Sequence, residues 1–415
     1  MNYFENIIGY EHIKLELSKI IDCINNRDKY EKLGVKIPKN LLLHGQPGLG
    51  KTLFANAFIK ALNRNKYIIR KNMPDGQFVN EINRIITEAM NNQPSVILLD
   101  DIDKFSNGDD KHRNTDEFVV VQSFIDDCKD LDVYFIATAN DLEDMPSSLL
   151  RAGRFSNRIE FEAPRLEDAV LIIKHYLSEK CVDNDVDYEE IARILEGRSC
   201  ALLESILNEA GIYAGFNNQD KISMSDIIKA SLRIIYNAPE DLGDKTEFEL
   251  KCAAYHEAGH TLISELLELG SVNLVTVANY FGNKGGLTAH TPDKDYWSDI
   301  SKMENRVKML LAGKAATEII FNKVDVGCSS DLSRAKSILD RFYDDYGMDS
   351  FNFSMYRGSS EGLYNKERWI TSKLVEFYDE TKKLLFDNKD LLIKIANELI
   401  NKKTITRTDI KALLS

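Results

Sequence analysis

Gly45-Gln46-Pro47-Gly48-Leu49-Gly50-Lys51-Thr52 sits between the apolar run Leu41-Leu42-Leu43 and the helically spaced segment from Thr52 to Leu62. It has the G-x-x-x-x-G-K-[ST] spacing of a phosphate loop, in the strand–loop–helix context that such a loop needs. Its glycines let backbone N–H groups turn toward an anion at the positive end of the following helix. Lys51 is placed to reach the β- and γ-phosphates of ATP, and the Thr52 hydroxyl to ligate Mg²⁺.

Further apolar runs stand at Tyr67-Ile68-Ile69, Val96 to Leu99, Val133 to Ile136 and Arg158 to Phe161, alternating with amphipathic segments such as Asn80 to Asn91. Strands alternating with helices predict a parallel α/β sheet covered on both faces. The second strand-like run after the loop ends in Asp100-Asp101, where one carboxylate can hold Mg²⁺ and the next can polarise water. The third leads into Ala137-Thr138-Ala139-Asn140, placing an amide beside the γ-phosphate. Arg151 and Arg154 follow, within Leu149 to Phe155. They read either as surface salt-bridge residues or as arginine fingers completing a neighbour's site in trans, which requires a ring.

From about residue 165 to 237 the pattern is helical only, and the polar stretch 238–245 reads as a linker. Beyond it the chain is mostly helical, with one strand-like insert from Val272 to Ala289. His256-Glu257-Ala258-Gly259-His260 is H-E-x-x-H. On a helix, positions i and i+4 share a face, so both imidazoles can converge on one Zn²⁺. Glu257 is then placed as general base toward the attacking water. A third protein ligand is needed, and His290, Asp331 and Glu318 all satisfy the chemistry.

The formal net charge of −13 disfavours a nucleic-acid binder, which needs a basic face. Six scattered cysteines without a C-x-x-C pair read as reduced thiols of a cytoplasmic protein. No run approaches the ~20 apolar residues of a membrane helix, so the chain is expected to be soluble.

Taken together, these motifs resemble the FtsH family of AAA+ zinc metalloproteases, along essentially the whole chain. The resemblance begins at Phe4 to Gly9 and Tyr30 to Lys39 and passes through the nucleotide motifs and Ser205 to Ala210. It continues at Ala254 to His260, Leu311 to Phe321 and Gly327 to Leu332. It implies a large nucleotide-binding domain over 1–164, a helical lid over 165–240 and a zinc peptidase domain over 241–415. It further implies Asp331 as third zinc ligand, Asn140 as γ-phosphate sensor, Arg151 and Arg154 as fingers, and adenine cradled near Ile8 and Gly9. Partners would be protein substrates and five further copies in a hexamer.

Three departures accompany the resemblance. The chain begins directly at the ATPase, without the usual membrane region. Asp101 stands where the family has Glu. The segment aligned with the substrate-gripping pore loop is Met73-Pro74-Asp75-Gly76, with no aromatic in the grip position and Phe78 offset. An ATP-dependent zinc endopeptidase is therefore expected, with two alternatives: a remodelling protein of slow hydrolysis, or a peptidase gated by ATP binding.

Overall fold

The computed structural model of the chain describes residues 3–72, 75–105, 116–237, 245–278, 285–291, 299–323, 326–347 and 360–415. It divides into two compact units, Met1–Val182 with Leu195–Gly211, and Asp183–Ile194 with Ile212–Ser415.

The first unit opens with α1 (Glu11–Asn25) and α2 (Arg27–Glu31). Then come β1 (Asn40–Gly45), α3 (Lys51–Leu62), β2 (Asn65–Arg70), α4 (Asp75–Asn91), β3 (Ser95–Asp100), α5 (Asp116–Asp127), β4 (Val133–Ala139) and β5 (Arg158–Phe161). All five strands are parallel, in the order β2-β3-β4-β1-β5. Every residue of β3 and β4 is buried, which explains why they read as unbroken apolar runs rather than alternating ones. Leu42, Ile97, Leu99, Phe135 and Ala137 pack with Phe78, Ile82 and Ile86 of α4 and Phe118, Val121 and Ile125 of α5. Neighbours in the strands point the other way, so Val96, Leu98 and Ile136 are buried on the opposite face.

Met73 and Pro74 of the candidate pore loop lie outside the described residues, and α4 begins directly after them. Phe78 is a core residue. It is wholly buried and meets Phe105 edge to face, with ring centroids 5.0 Å apart.

Helices α6 (Leu166–Leu177), α7 (Tyr188–Ile194), α8 (Cys200–Phe216) and α9 (Met224–Tyr236) follow. The expected linker lies outside the described residues, except for Lys245. The second unit continues with α10 (Glu247–Leu267), β6 (Val272–Thr276), β7 (Leu287–His290), α11 (Ile300–Phe321), α12 (Ser329–Asp344), α13 (Ser360–Asp387), α14 (Lys389–Lys402), β8 (Thr404–Thr406) and α15 (Arg407–Leu414). The strand-like insert thus holds two strands, and β8, absent from the sequence expectation, pairs with β6 to give the antiparallel order β7-β6-β8.

Helix α10 starts at a capping box. Glu249 N–H donates to Thr246 Oγ1 at 3.2 Å, and Thr246 N–H donates to the Glu249 carboxylate at 2.8 Å. Its buried face from Ala253 to Ile263 packs on Ala312, Ala315 and Ala316 of α11 and on Leu392, Ile395 and Leu399 of α14. Among the described residues, no helix is long and apolar enough to cross a membrane.

Because Phe78 fills a closed core, Phe78→Ala is expected to destabilise the first unit by ~3–5 kcal/mol. Urea unfolding monitored by a probe in that unit measures this, and an unchanged midpoint would place Phe78 outside the core.

Candidate metal centre and nucleotide-binding site

Position i+4 on α10 brings His256 and His260 together, with their Nε2 atoms 3.0 Å apart. Asp331, in the first turn of α12, supplies a carboxylate oxygen 3.4 Å from each of those nitrogens. A tetrahedral ion held at ~2.0–2.1 Å needs donors about 3.4 Å apart. The three donors therefore fit Zn²⁺, and they form the one His/Cys/Asp/Glu cluster suited to a metal among the described residues.

Surrounding groups fix these donors. The Met309 carbonyl lies 2.7 Å from His260 Nδ1 and can only accept, so Nδ1 carries the proton and Nε2 keeps its lone pair for a metal. A Cβ on Gly313 would stand 2.5 Å from the His256 ring and 2.6 Å from His260 Nε2, so only glycine leaves room for both rings. Gly259, inside the pentapeptide, is required in turn by the backbone of α11, since its Cβ would fall 2.6 Å from the Ala312 carbonyl.

Burial pushes the Asp331 carboxyl upward, but its bonds with His256 and His260 outweigh that and hold it well below the usual range. Burial pulls the His260 imidazole down, and here Asp331, with Glu257 behind it, prevails and raises it. Each shift favours a carboxylate in contact with imidazole.

Glu257 accepts a hydrogen bond from Thr288 Oγ1 of β7 at 2.7 Å. Gly286 leaves space for it, since a Cβ there would lie 2.4 Å from Glu257 Cγ. Lys245 donates to the carbonyls of Val277 and Gly285. Burial lowers its pKa to about 8.

The two other candidate ligands are engaged elsewhere. His290 bonds Ser264 Oγ at 2.9 Å, and burial lowers its pKa to about 4. Glu318 is taken up by Tyr378, Lys382 and Lys314.

The nucleotide residues gather at the carboxyl ends of β1, β3 and β4, where open α/β sheets bind ligands. Gly48 and Gly50 have φ of 79° and 90°; a Cβ at Gly48 would lie 2.8 Å from Ala201 Cβ, whereas one at Gly50 would meet nothing within 4 Å. Lys51 is buried, and its ammonium donates to the Gly45 and Gln46 carbonyls and to Asn140 Oδ1, at 2.6, 2.8 and 2.9 Å. Burial pulls its pKa below the usual lysine value. Thr52 and Thr138 both donate to Asp100 Oδ1, at 3.0 and 2.8 Å, while Arg70 grips the other oxygen. Burial raises the Asp100 carboxyl, but Arg70 and the two hydroxyls more than reverse it.

Asp101 takes a left-handed backbone (φ 54°), and its carboxylate pairs with Lys104 at 2.7 Å. Asn140 donates to Asp103 Oδ2 at 3.2 Å. Asp103 is buried, its other oxygen has no hydrogen-bond partner, and burial raises its pKa. Ile8 and Gly9 precede Tyr10, whose N–H donates to Asp168 at 3.0 Å and whose hydroxyl donates to the Glu162 carbonyl at 2.9 Å. Arg154 is held inside its own chain by Gln122, the Ser148 carbonyl and Asp126 at 2.7–2.9 Å, whereas Arg151 is exposed.

Residues 41–163 match the AAA family model (ATPase family associated with various cellular activities), and residues 245–413 match Peptidase family M41. The ATP-dependent zinc metalloprotease FtsH 2 of Thermoanaerobacter sp. (strain X514) is 31% identical across 99% of this chain and 82% of its own length. The chain belongs to the FtsH family. Similar too are the FtsH of Lachnoclostridium phytofermentans, 30% identical over 98% of this chain and 73% of its own, and FtsH 2 of Phytoplasma mali, 29% identical over 99% and 63%. These FtsH relatives are longer than this chain.

Four residues escaped the sequence reading. Gly313 lies inside a segment quoted for the resemblance, but only the α10–α11 approach shows what it does. Thr288 ends up opposite Glu257 through the hairpin. Thr138 is recognisable only as a hydroxyl next to Asp100 across the sheet. Asp103 carries a weak signal, a third carboxylate just after Asp100-Asp101.

Gly313→Ala is expected to push the His256 and His260 rings apart and lower zinc affinity at least ten-fold, as second-shell changes do. Zinc content after dialysis against graded chelator reads this directly. Affinity equal to that of the parent would mean that the rings tolerate the added carbon.

Proposed function

We propose that this chain is an ATP-dependent zinc metalloendopeptidase that cleaves protein substrates at the centre formed by His256, His260 and Asp331. The observation that carries this is the convergence of three donor atoms at tetrahedral spacing, with the Glu257 carboxylate beside them. Zn²⁺ held there would supply Lewis-acid polarisation of the scissile carbonyl and of the attacking water. Glu257 takes the proton from that water and later gives it to the leaving amine, with Thr288 Oγ1 holding one carboxylate oxygen in place. Strand β7 is an edge of its sheet, so an extended polypeptide can add to it as a further strand and lie across Glu257.

In the ATPase half, Mg²⁺–ATP would supply the phosphoryl chemistry that drives conformational change. The backbone from Gly45 to Thr52 cradles the phosphates, Lys51 contacts the β- and γ-groups, and Thr52 with Asp100 faces the Mg²⁺. Asp101 orients the attacking water, Asn140 senses the γ-phosphate, and Ile8 with Gly9 borders the adenine. The exposure of Arg151 suits a finger offered to a neighbouring subunit of a homo-hexamer, with Arg154 bracing the loop that carries it. This assigns 1–164 and 165–240 to the ATPase and its lid, and 241–415 to the peptidase.

One observation favours slow hydrolysis. Asp101 is one methylene shorter than the family's usual Glu, and its carboxylate is engaged by Lys104. A misplacement of about 1 Å at a reacting group costs on the order of 100-fold. A zinc peptidase gated by ATP binding, with little turnover, is the second reading.

Zinc-loaded protein is expected to cleave unfolded casein, and Glu257→Gln to lower that rate at least 100-fold while zinc stays bound. Comparing a short peptide with a folded substrate, under ATP and under a non-hydrolysable analogue, separates the two readings. Driven unfolding requires ATP itself for the folded substrate. Gating gives equal peptide cleavage with either nucleotide. Equal casein cleavage by Glu257→Gln and parent would contradict the catalytic assignment.

A further inference from the structure

A cavity of about 510 Å³ opens between α11 and α12, lined by Lys302, Arg306, Arg334 and Arg341 over an apolar floor that includes Leu310 and Ile338. Among the described residues, no carboxylate lines it. This stands out in a chain with 66 acidic residues against 53 basic ones. Lys302 and Arg306 are four apart on α11, and Arg334 and Arg341 are seven apart on α12, so each pair shares one helix face. Among the described residues, no carboxylate pairs with Arg306, Arg334 or Arg341.

The cavity adjoins the metal centre from two directions. Arg334 stands one helical turn beyond Asp331 on α12. Arg306 and Leu310 flank Met309, whose carbonyl bonds His260. His290, at the end of the edge strand β7, is close enough to feel the charges of His260, Arg306 and Arg334 together. The cavity therefore lies on the His290 side of the metal centre, at the end of β7.

We propose that this cavity is a specificity subsite that takes an acidic side chain, Asp or Glu, of the protein substrate. The aliphatic floor suits the methylenes of that side chain, and the guanidinium groups can bind its carboxylate as a fork. The proposal rests on the proteolytic reading given above and names the substrate feature that the same centre selects. None of the four cations touches the reacting atoms. They position the substrate, so their effect belongs in KM.

The test uses the full chain loaded with zinc and a series of internally quenched peptides with both ends blocked. Members are identical except for one Glu, Gln or Lys, moved through the three positions on each side of the scissile bond. At one position the Glu peptide is expected to be cleaved with kcat/KM about ten-fold above the Gln peptide, through KM, and the ratio should shrink as salt rises. In Arg306→Glu/Arg334→Glu the Glu-to-Gln ratio at that position should fall to about one or below, with Lys now preferred. Taking a ratio removes any general loss of activity or folding in the variant.

A Glu-to-Gln ratio near one at all six positions of the parent overturns the proposal, and so does a preference that survives the charge reversal. Should the parent cleave none of the peptides, the proteolytic reading fails separately. Fluorescence anisotropy of labelled Glu and Gln peptides on zinc-loaded Glu257→Gln protein then decides the subsite. Tighter binding of Glu that disappears on charge reversal supports it, and equal binding refutes it.

Discussion

The close approach of α10 and α11 is the constraint on which the peptidase half depends. Gly259 and Gly313 each face the other helix where a single added carbon would collide, at 2.6 and 2.5 Å. Ala312, Ala315 and Ala316 are likewise small and fully buried. Small residues let the backbones come near enough for the Met309 carbonyl to reach His260, which settles the tautomer of that ring. Helix packing and metal chemistry are thus one problem here, solved by the same residues.

An analogous economy operates in the parallel sheet. Loops leaving β1, β3 and β4 at their carboxyl ends bring Lys51, Asp100 and Asn140 into one network although they are far apart in sequence. Asp100 is the hub of that network. It is buried, yet two hydroxyls and the Arg70 guanidinium hold its carboxyl below the usual range. The Asp101 carboxylate pairs with Lys104, while buried Asp103 stands against Asn140. Around the phosphate loop, Asp100 is thus held by Thr52, Thr138 and Arg70, and Asp101 by Lys104.

Much of this was legible in the sequence because helix and strand periods project directly onto faces. The i, i+4 spacing of His256 and His260 is itself a statement about one helix face, and the strand-flanked glycine loop is a statement about a helix N-terminus. Asp331 is different. It sits far from the histidines on another helix, and spacing could not rank it above His290 or Glu318; resemblance pointed to it before the fold placed it at 3.4 Å. Three-residue β8, between two helices, shows no period long enough to read. Phe78 stood near the candidate pore loop in sequence but proved to be core, because the apolar face of α4 begins immediately. Gly313, Thr288 and Asp103 matter through contacts across elements, which no local pattern encodes.

The central claim is that His256, His260 and Asp331 together hold one zinc ion. X-ray absorption spectroscopy of the zinc-loaded full chain tests it most directly. The account predicts one tightly bound zinc per chain, with two imidazole nitrogens and oxygen donors at about 2.0–2.2 Å and no sulfur. A sulfur shell near ~2.3 Å, or a single imidazole in the scattering, would contradict it.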